Sequence, residues 1–181
     1  MSLAGPGRFS RPSVVRMGRI RTLSLAVAAS AVAAACEDTS LTLPAEADLE
    51  GLYGEAPQVA LNGNVVDVHV VQDRDQLRRG GKLWARVGPY IYLFSPQTKE
   101  LFENWSGLGG VRVRTFTSSG TQVAEAMLRR GDLNGITWRR ALRLVSQARL
   151  EGTRRPSFME NLVRYGEETA QFEYNSDFAG E

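Results

Sequence analysis

A single cysteine, Cys36, occurs in a chain of 181 residues, so no disulfide can form within it. Any domain built from this sequence must therefore be held by burial of apolar side chains alone, which sets a floor on the size of its core. Residues 1–35 contribute little to such a core. They carry Arg8, Arg11, Arg16, Arg19 and Arg21 and no acid, followed by an apolar run over residues 23–35 broken only by Ser24 and Ser30. A positive segment, a short apolar segment and then small residues form the layout of an export signal. The run is shorter than the roughly 20 apolar residues that a membrane span needs. Residues 1–35 are thus expected to be a removable signal peptide, leaving 146 residues, enough for one domain.

The junction reads Ala33-Ala34-Ala35-Cys36. Small residues suit a signal peptidase with shallow side-chain pockets, and Ala33-x-Ala35 alone satisfies the ordinary secretory enzyme. With a cysteine directly after it, the junction resembles the lipobox of bacterial lipoproteins. The resemblance covers only the first 36 residues and departs from the commonest pattern, which has Leu where this chain has Ala33. It implies that Cys36 is diacylated on sulfur, becomes the N-terminus and anchors the protein on the extracytoplasmic, periplasmic side of a membrane. Met17 opens a compact version of the same leader, so residues 1–16 are expected to be an upstream extension from a misassigned start.

Removing the leader changes the charge. It holds 5 of the 22 basic residues and none of the 20 acids, so the formal charge moves from +2 to −3. The basic balance of the whole chain therefore says nothing about nucleic acid. Residues 37–55 contain six acids and no base, with Gly, Pro and Ala between them. Residues 36–56 are read as a lipidated cysteine with an acidic, extended tether, and 57–181 as a single globular domain.

Within that domain, residues 59–61, Asn62-Gly63 and residues 64–71 read as a β-hairpin with Asn-Gly at its turn. Val66, Val68 and Val70 fall on one face, and Asp67 and His69 on the other. After Arg79-Gly80-Gly81, residues 82–87 and 90–94 read as two further strands separated by Gly88-Pro89. Ser95-Pro96 fits either a helix over residues 96–105 or the turn of another hairpin. Residues 111–117 alternate as a strand, whereas residues 122–130 are rich in helix formers and end at Gly131. Thr137 can cap a helix running to about Leu150. Pro156 with Ser157-x-x-Glu160 opens another that ends at Gly166, and residues 169–174 alternate again. Strands first and helices second predict an α+β domain, an antiparallel sheet from N-terminal hairpins covered by C-terminal helices. The alternative is a small β-sandwich with a helical C-terminal appendage.

Few residues carry chemistry. His69 is the only histidine; it and Asp67 read as solvated residues on the outer face of an amphipathic strand. With no second His or Cys in the fold, neither a metal nor a cofactor is expected. Asp132-Leu-Asn134-Gly135 resembles part of a calcium loop but puts Arg130 and Ala141 where terminal ligands belong, so it is read as a turn. Trp84, Tyr90, Tyr92, Phe94, Phe102, Trp105 and Phe116 read as a core-forming set. Residues 127–165 hold nine bases against three acids, and Arg139, Arg140 and Arg143 share the polar face of one helix. That face is the candidate partner-binding surface, and an exported chain is not expected to bind nucleic acid.

These features predict a non-enzymatic, lipid-anchored interaction or scaffold protein, an accessory subunit of a membrane or envelope complex. A periplasmic small-ligand-binding module is the alternative, and a hydrolase without a recognisable motif is a third.

Overall fold

The structure is a computed structural model, and it describes residues 41–179. Five strands, β1 (Gln58–Asn62), β2 (Val65–Val71), β3 (Gly110–Phe116), β4 (Gln122–Arg129) and β5 (Gln171–Tyr174), form one sheet in the order β1-β2-β3-β4-β5. The helices are α1 (Glu46–Leu49), α2 (Arg74–Leu93), α3 (Pro96–Asn104), α4 (Gly135–Glu151) and α5 (Pro156–Thr169), with a final 3-10 turn at Ser176–Ala179. The domain is α+β, as expected, but its sheet is mixed. β1–β2, β3–β4 and β4–β5 are antiparallel, whereas β2 and β3 are parallel. The reason is the connection: β2 leaves through α2 and α3 before β3 begins, and a crossover of that kind returns the chain in the same direction.

The β1–β2 hairpin forms, with its turn one residue later than the sequence suggested. Asn62 pairs with Val65, so the two-residue loop is Gly63-Asn64, and Gly63 takes the positive φ of +61°. The largest correction falls on residues 82–94, which are helical and not two strands. Val87, Tyr90 and Phe94 are fully buried and Leu83 packs against the same core. Their spacing with Leu83 of four, three and four residues is the stripe of a helix. Aromatic and β-branched content suggested strands, and Gly88-Pro89 looked like a break between them. Pro89 instead lies inside the helix, where it removes one N–H, and Gly88 is needed for packing. A Cβ on Gly88 would run into the Gln72 amide and lie 3.3 Å from a Thr115 methyl. The expected interruption at Gly80-Gly81 is present as a local break, with Gly81 at φ +52° and ψ −142° inside α2.

The second correction is β4. Residues 122–130 have helix formers but make a strand, with Ala124, Ala126 and Leu128 buried on one face. Pairing on both sides, to β3 and β5, outweighs a helix propensity of a few tenths of a kcal/mol per residue. The helix at Ser95-Pro96 is real: the Ser95 hydroxyl accepts from the Thr98 N–H at 3.3 Å, with Pro96 at the first helical position. In α4 the cap is Asn134, whose side chain accepts from Ile136 and Thr137 N–H while Thr137 Oγ1 accepts from the Asn134 N–H. α5 runs past Gly166 to Thr169, and Arg155 rather than Ser157 precedes its first turn.

Each described helix of the main layer buries one face in a common core with Val66, Val68, Val111, Val113, Ala126 and Leu128 of the sheet. Two details locate the limits of this core. Leu49 of α1 is 1% exposed within it, and Thr42 O accepts from the Gly107 N–H at 2.8 Å. The described part of the expected tether is therefore packed on the domain, because it carries Leu49, Leu52 and Tyr53 among its acids. α5 also comes close to α2 at Gly166, which has no side chain of its own and lies directly under the Tyr90 ring.

Candidate functional site

The helices and the core they share occupy one side of the sheet. The opposite side carries Asp67 and His69 from β2, Arg112 and Arg114 from β3, and Glu125 and Met127 from β4. Strand register puts them in two rows. Asp67, Arg112 and Met127 are cross-strand neighbours, and so are His69, Arg114, Glu125 and Glu173. The period-two alternation of β3, with Val111 and Val113 inward, drives both arginines outward onto this face.

There the charges form a closed network. Arg114 Nε donates to Glu125 Oε2 at 2.8 Å, and Arg112 Nε stands 3.3 Å from Glu125 Oε1 without the alignment of a hydrogen bond. On the other side Arg112 Nη1 is 3.6 Å from Asp67 Oδ1 and Arg114 Nη1 is 3.9 Å from Asp67 Oδ2. Asn62 Nδ2 donates to Asp67 Oδ2 at 3.4 Å. His69 Nε2 lies 3.4 Å from Arg114 Nη1, and because a guanidinium can only donate, the imidazole nitrogen accepts. Its ring is 5.3 Å from that of Phe116. Two carboxylates thus flank two guanidiniums, and the arginines of β3 stand between Asp67 and Glu125. The two acids do not face each other across a cleft, as a general acid and base would.

Asp67 was expected to be solvated, yet it is only 6% exposed. It sits on an interior strand, and the long stems of Arg112 and Arg114 cover it. Its Oδ1 has no hydrogen bond among the described residues. Phe116 also departs from expectation: it belongs to this face beside His69, while Tyr90 and Phe94 are fully buried on the helix side. Trp84, Tyr92, Phe102 and Trp105 are half-buried against the core. The sequence shows Asp67-x-His69 and Arg112-x-Arg114 as alternating pairs. The network itself is not visible in the sequence, because Glu125 lies in a segment of helix formers.

The basic face of α4 divides. Arg140 is exposed but its guanidinium lies 4.9 Å from the centre of the Tyr165 ring, and Arg149 donates to Ile91 O and covers Tyr92. Elsewhere Arg130 is tied to the carbonyls of Leu108 and Trp105. Arg139 and Arg143 are exposed on the same helix, and the structure gives neither a hydrogen bond nor an ion pair among the described residues. Asp132 Oδ2 accepts from the Arg129 N–H at 2.9 Å, so the 132–135 segment is a turn between β4 and α4. Cys36 lies outside the described residues, and so does the leader.

The titrations that the fold displaces most clearly lie on the helix side. Burial raises the Tyr53 phenol, tempered by its hydrogen bond to Thr98. Burial also raises Tyr90, helped by Glu167 and opposed by Arg86, and raises Tyr165 against Arg140. Among the described residues no group of three His, Cys, Asp or Glu is placed to hold a metal ion, and no helix is long and apolar enough to cross a membrane.

Fold and surface together define a two-layer α+β domain with one sheet face covered by helices and the other carrying ordered charge. Comparison with protein-family models, curated proteins and solved structures gave no match.

Proposed function

We propose that the chain is a lipid-anchored extracytoplasmic interaction protein, an accessory subunit of a membrane or envelope complex, which acts by binding and not by catalysis. The observation that supports this most is the charge network on the side of the sheet that no described helix covers. Asp67, Glu125, Arg112 and Arg114 are matched to one another, which fixes a rigid pattern of alternating charge. Such a pattern serves partner selection better than proton transfer, because a partner with the wrong charges meets like against like. Val71, 64% exposed at the rim of this face, offers an apolar contact beside it. The anchor proposed at Cys36 would keep this surface at a membrane.

The test is affinity recovery of tagged full-length protein from membranes in mild detergent, together with intact mass of the mature form. A stoichiometric partner should be recovered, and Val71→Arg combined with Glu173→Arg should lose it while the fold persists. A clean monomer without any partner would contradict the binding role. A mature mass without acyl groups on Cys36 would contradict the anchor.

A further inference from the structure

We infer that the exposed face of α4 is a membrane-contact surface that takes anionic phospholipid head groups; the inference deepens the lipid-anchored reading and rests on it. α4 buries Trp138, Ala141, Val145 and Ala148 and turns Ile136, Arg139, Arg143 and Leu150 outward. Ile136 is 71% and Leu150 79% exposed, which places two large apolar side chains at the two ends of a helix with arginines between them. Burying either residue in water-free surroundings is favourable, and nothing in the core recruits them. The only acid of the helix, Glu151, is paired with Arg155 at 3.2 Å, so the positive charge of Arg139 and Arg143 is not answered on this face.

Apolar residues flanking a pair of arginines along one exposed helix face match the head-group boundary, where acyl chains meet phosphates. The chain entry points the same way. Thr42 is bonded to Ser106 and Gly107, Arg130 ties the Trp105–Leu108 turn to the end of β4, and the Phe102 ring of α3 lies 6.4 Å from that of Trp138 in the first turn of α4. The chain therefore enters the domain at the end where α4 begins. Once Cys36 is the N-terminus, six residues lead to Thr42, at most about 20 Å of chain. Leu41, beside that entry, is itself 73% exposed. An anchor at Cys36 holds the chain at the bilayer without fixing which face of the domain meets it, and a basic, partly apolar patch supplies that second contact.

The experiment uses the full mature chain with Cys36→Ser, so that no acyl group contributes, in flotation with vesicles. Phosphatidylglycerol vesicles should carry it at low salt and pure phosphatidylcholine should not. Arg139→Glu with Arg143→Glu should weaken flotation by at least roughly tenfold, and Ile136→Ser with Leu150→Ser several-fold at any salt. Thermal unfolding of each variant verifies that the fold is kept. Failure of the unsubstituted chain to float with anionic vesicles overturns the inference, as does flotation that ignores the arginines. Loss of a protein partner in the arginine variant with unchanged flotation would show that the face docks an acidic protein, and overturns it equally. Acylation is read separately by intact mass of the native protein, so failure of the anchor and failure of the α4 contact give different results.

Discussion

Gly166→Ala should destabilise the domain, although the change improves the intrinsic preference of α5. Alanine is favoured over glycine in a helix interior by about 1 kcal/mol. Against that, a Cβ at Gly166 would lie 2.5 Å from both Cδ1 and Cζ of Tyr90, far inside contact distance. Tyr90 has nowhere to go. It is fully buried, stacked on Phe94 at 5.7 Å and 9°, with the Phe172 ring 5.2 Å away. α5 must then move off α2, and overpacking of this kind typically costs about 1–3 kcal/mol, with the upper end expected where backbone has to shift. The net loss is about 1–2 kcal/mol after the helix gain is subtracted, or about 3–6 °C in Tm for a domain of this size. Urea unfolding followed by tryptophan fluorescence should show a lower midpoint with an unchanged slope. Gly135→Ala is the matched control, because only the tip of Arg139 comes as near as 4.0 Å to a Cβ there. That change should be neutral or slightly stabilising. In a Tyr90→Leu background the penalty at Gly166 should vanish and the helix gain reappear, a coupling that a thermodynamic cycle isolates. A Gly166→Ala protein at least as stable as the parent, with the same slope, would refute the close-approach argument.

Three further outcomes follow from the same structure. Leu49→Ala should cost about 2–4 kcal/mol, because the side chain lies in the core; a change within error would mean that the segment before β1 is not part of the domain. Asp67→Ala should cost about 1–3 kcal/mol by leaving Arg112 and Arg114 without their carboxylate on that side, and the Asp67→Ala/Arg112→Met pair should recover part of it in denaturant titrations. Stability should fall in alkali. The Tyr53, Tyr90 and Tyr165 phenols are raised above 10.0, so the unfolded chain releases these protons first; their contribution is whole below pH 10 and is lost as pH rises beyond it. A Tm that stays level from about pH 9 to pH 11.5 would contradict this.

Part of this fold was legible in the sequence. Asn62-Gly63 announced the first hairpin because few residues accept a positive φ, and Ser95-Pro96 and Pro156 marked real helix starts because proline suits a first turn. Residues 82–94 and 122–130 mislead for opposite reasons. In the first, strand-forming aromatics hid a helical spacing of buried positions, and Gly88, which lets α2 approach Gln72 and Thr115, resembled a turn. In the second, Ala, Glu, Met and Leu favour a helix locally, but the decisive term is pairing to two strands distant in sequence. The charge network depends on that pairing too. Arg112 and Arg114 were visible as an alternating pair, but that Asp67 and Glu125 flank them follows only from the parallel seam of β2 with β3 and from β4 being a strand. The α4 face was legible, since period alone put Arg139, Arg140 and Arg143 together. That Arg140 is taken up by Tyr165 was not, because α5 supplies the ring.

The parallel seam between β2 and β3 also divides the order in which the sheet can assemble. β1 with β2 and β3 with β4 are antiparallel neighbours joined by short turns, contacts that form on the microsecond scale. The seam waits for α2 and α3 to be in place, since its two strands are joined only through them. Until it closes, β2 and β3 each present an unpaired edge rich in valine, and two such edges are the surfaces on which chains aggregate. For a chain proposed to be exported, the interval before the seam closes is the hazardous one. Substitutions in the crossover that slow closure should therefore lower the yield of exported protein more than they lower the stability of the molecules that do fold.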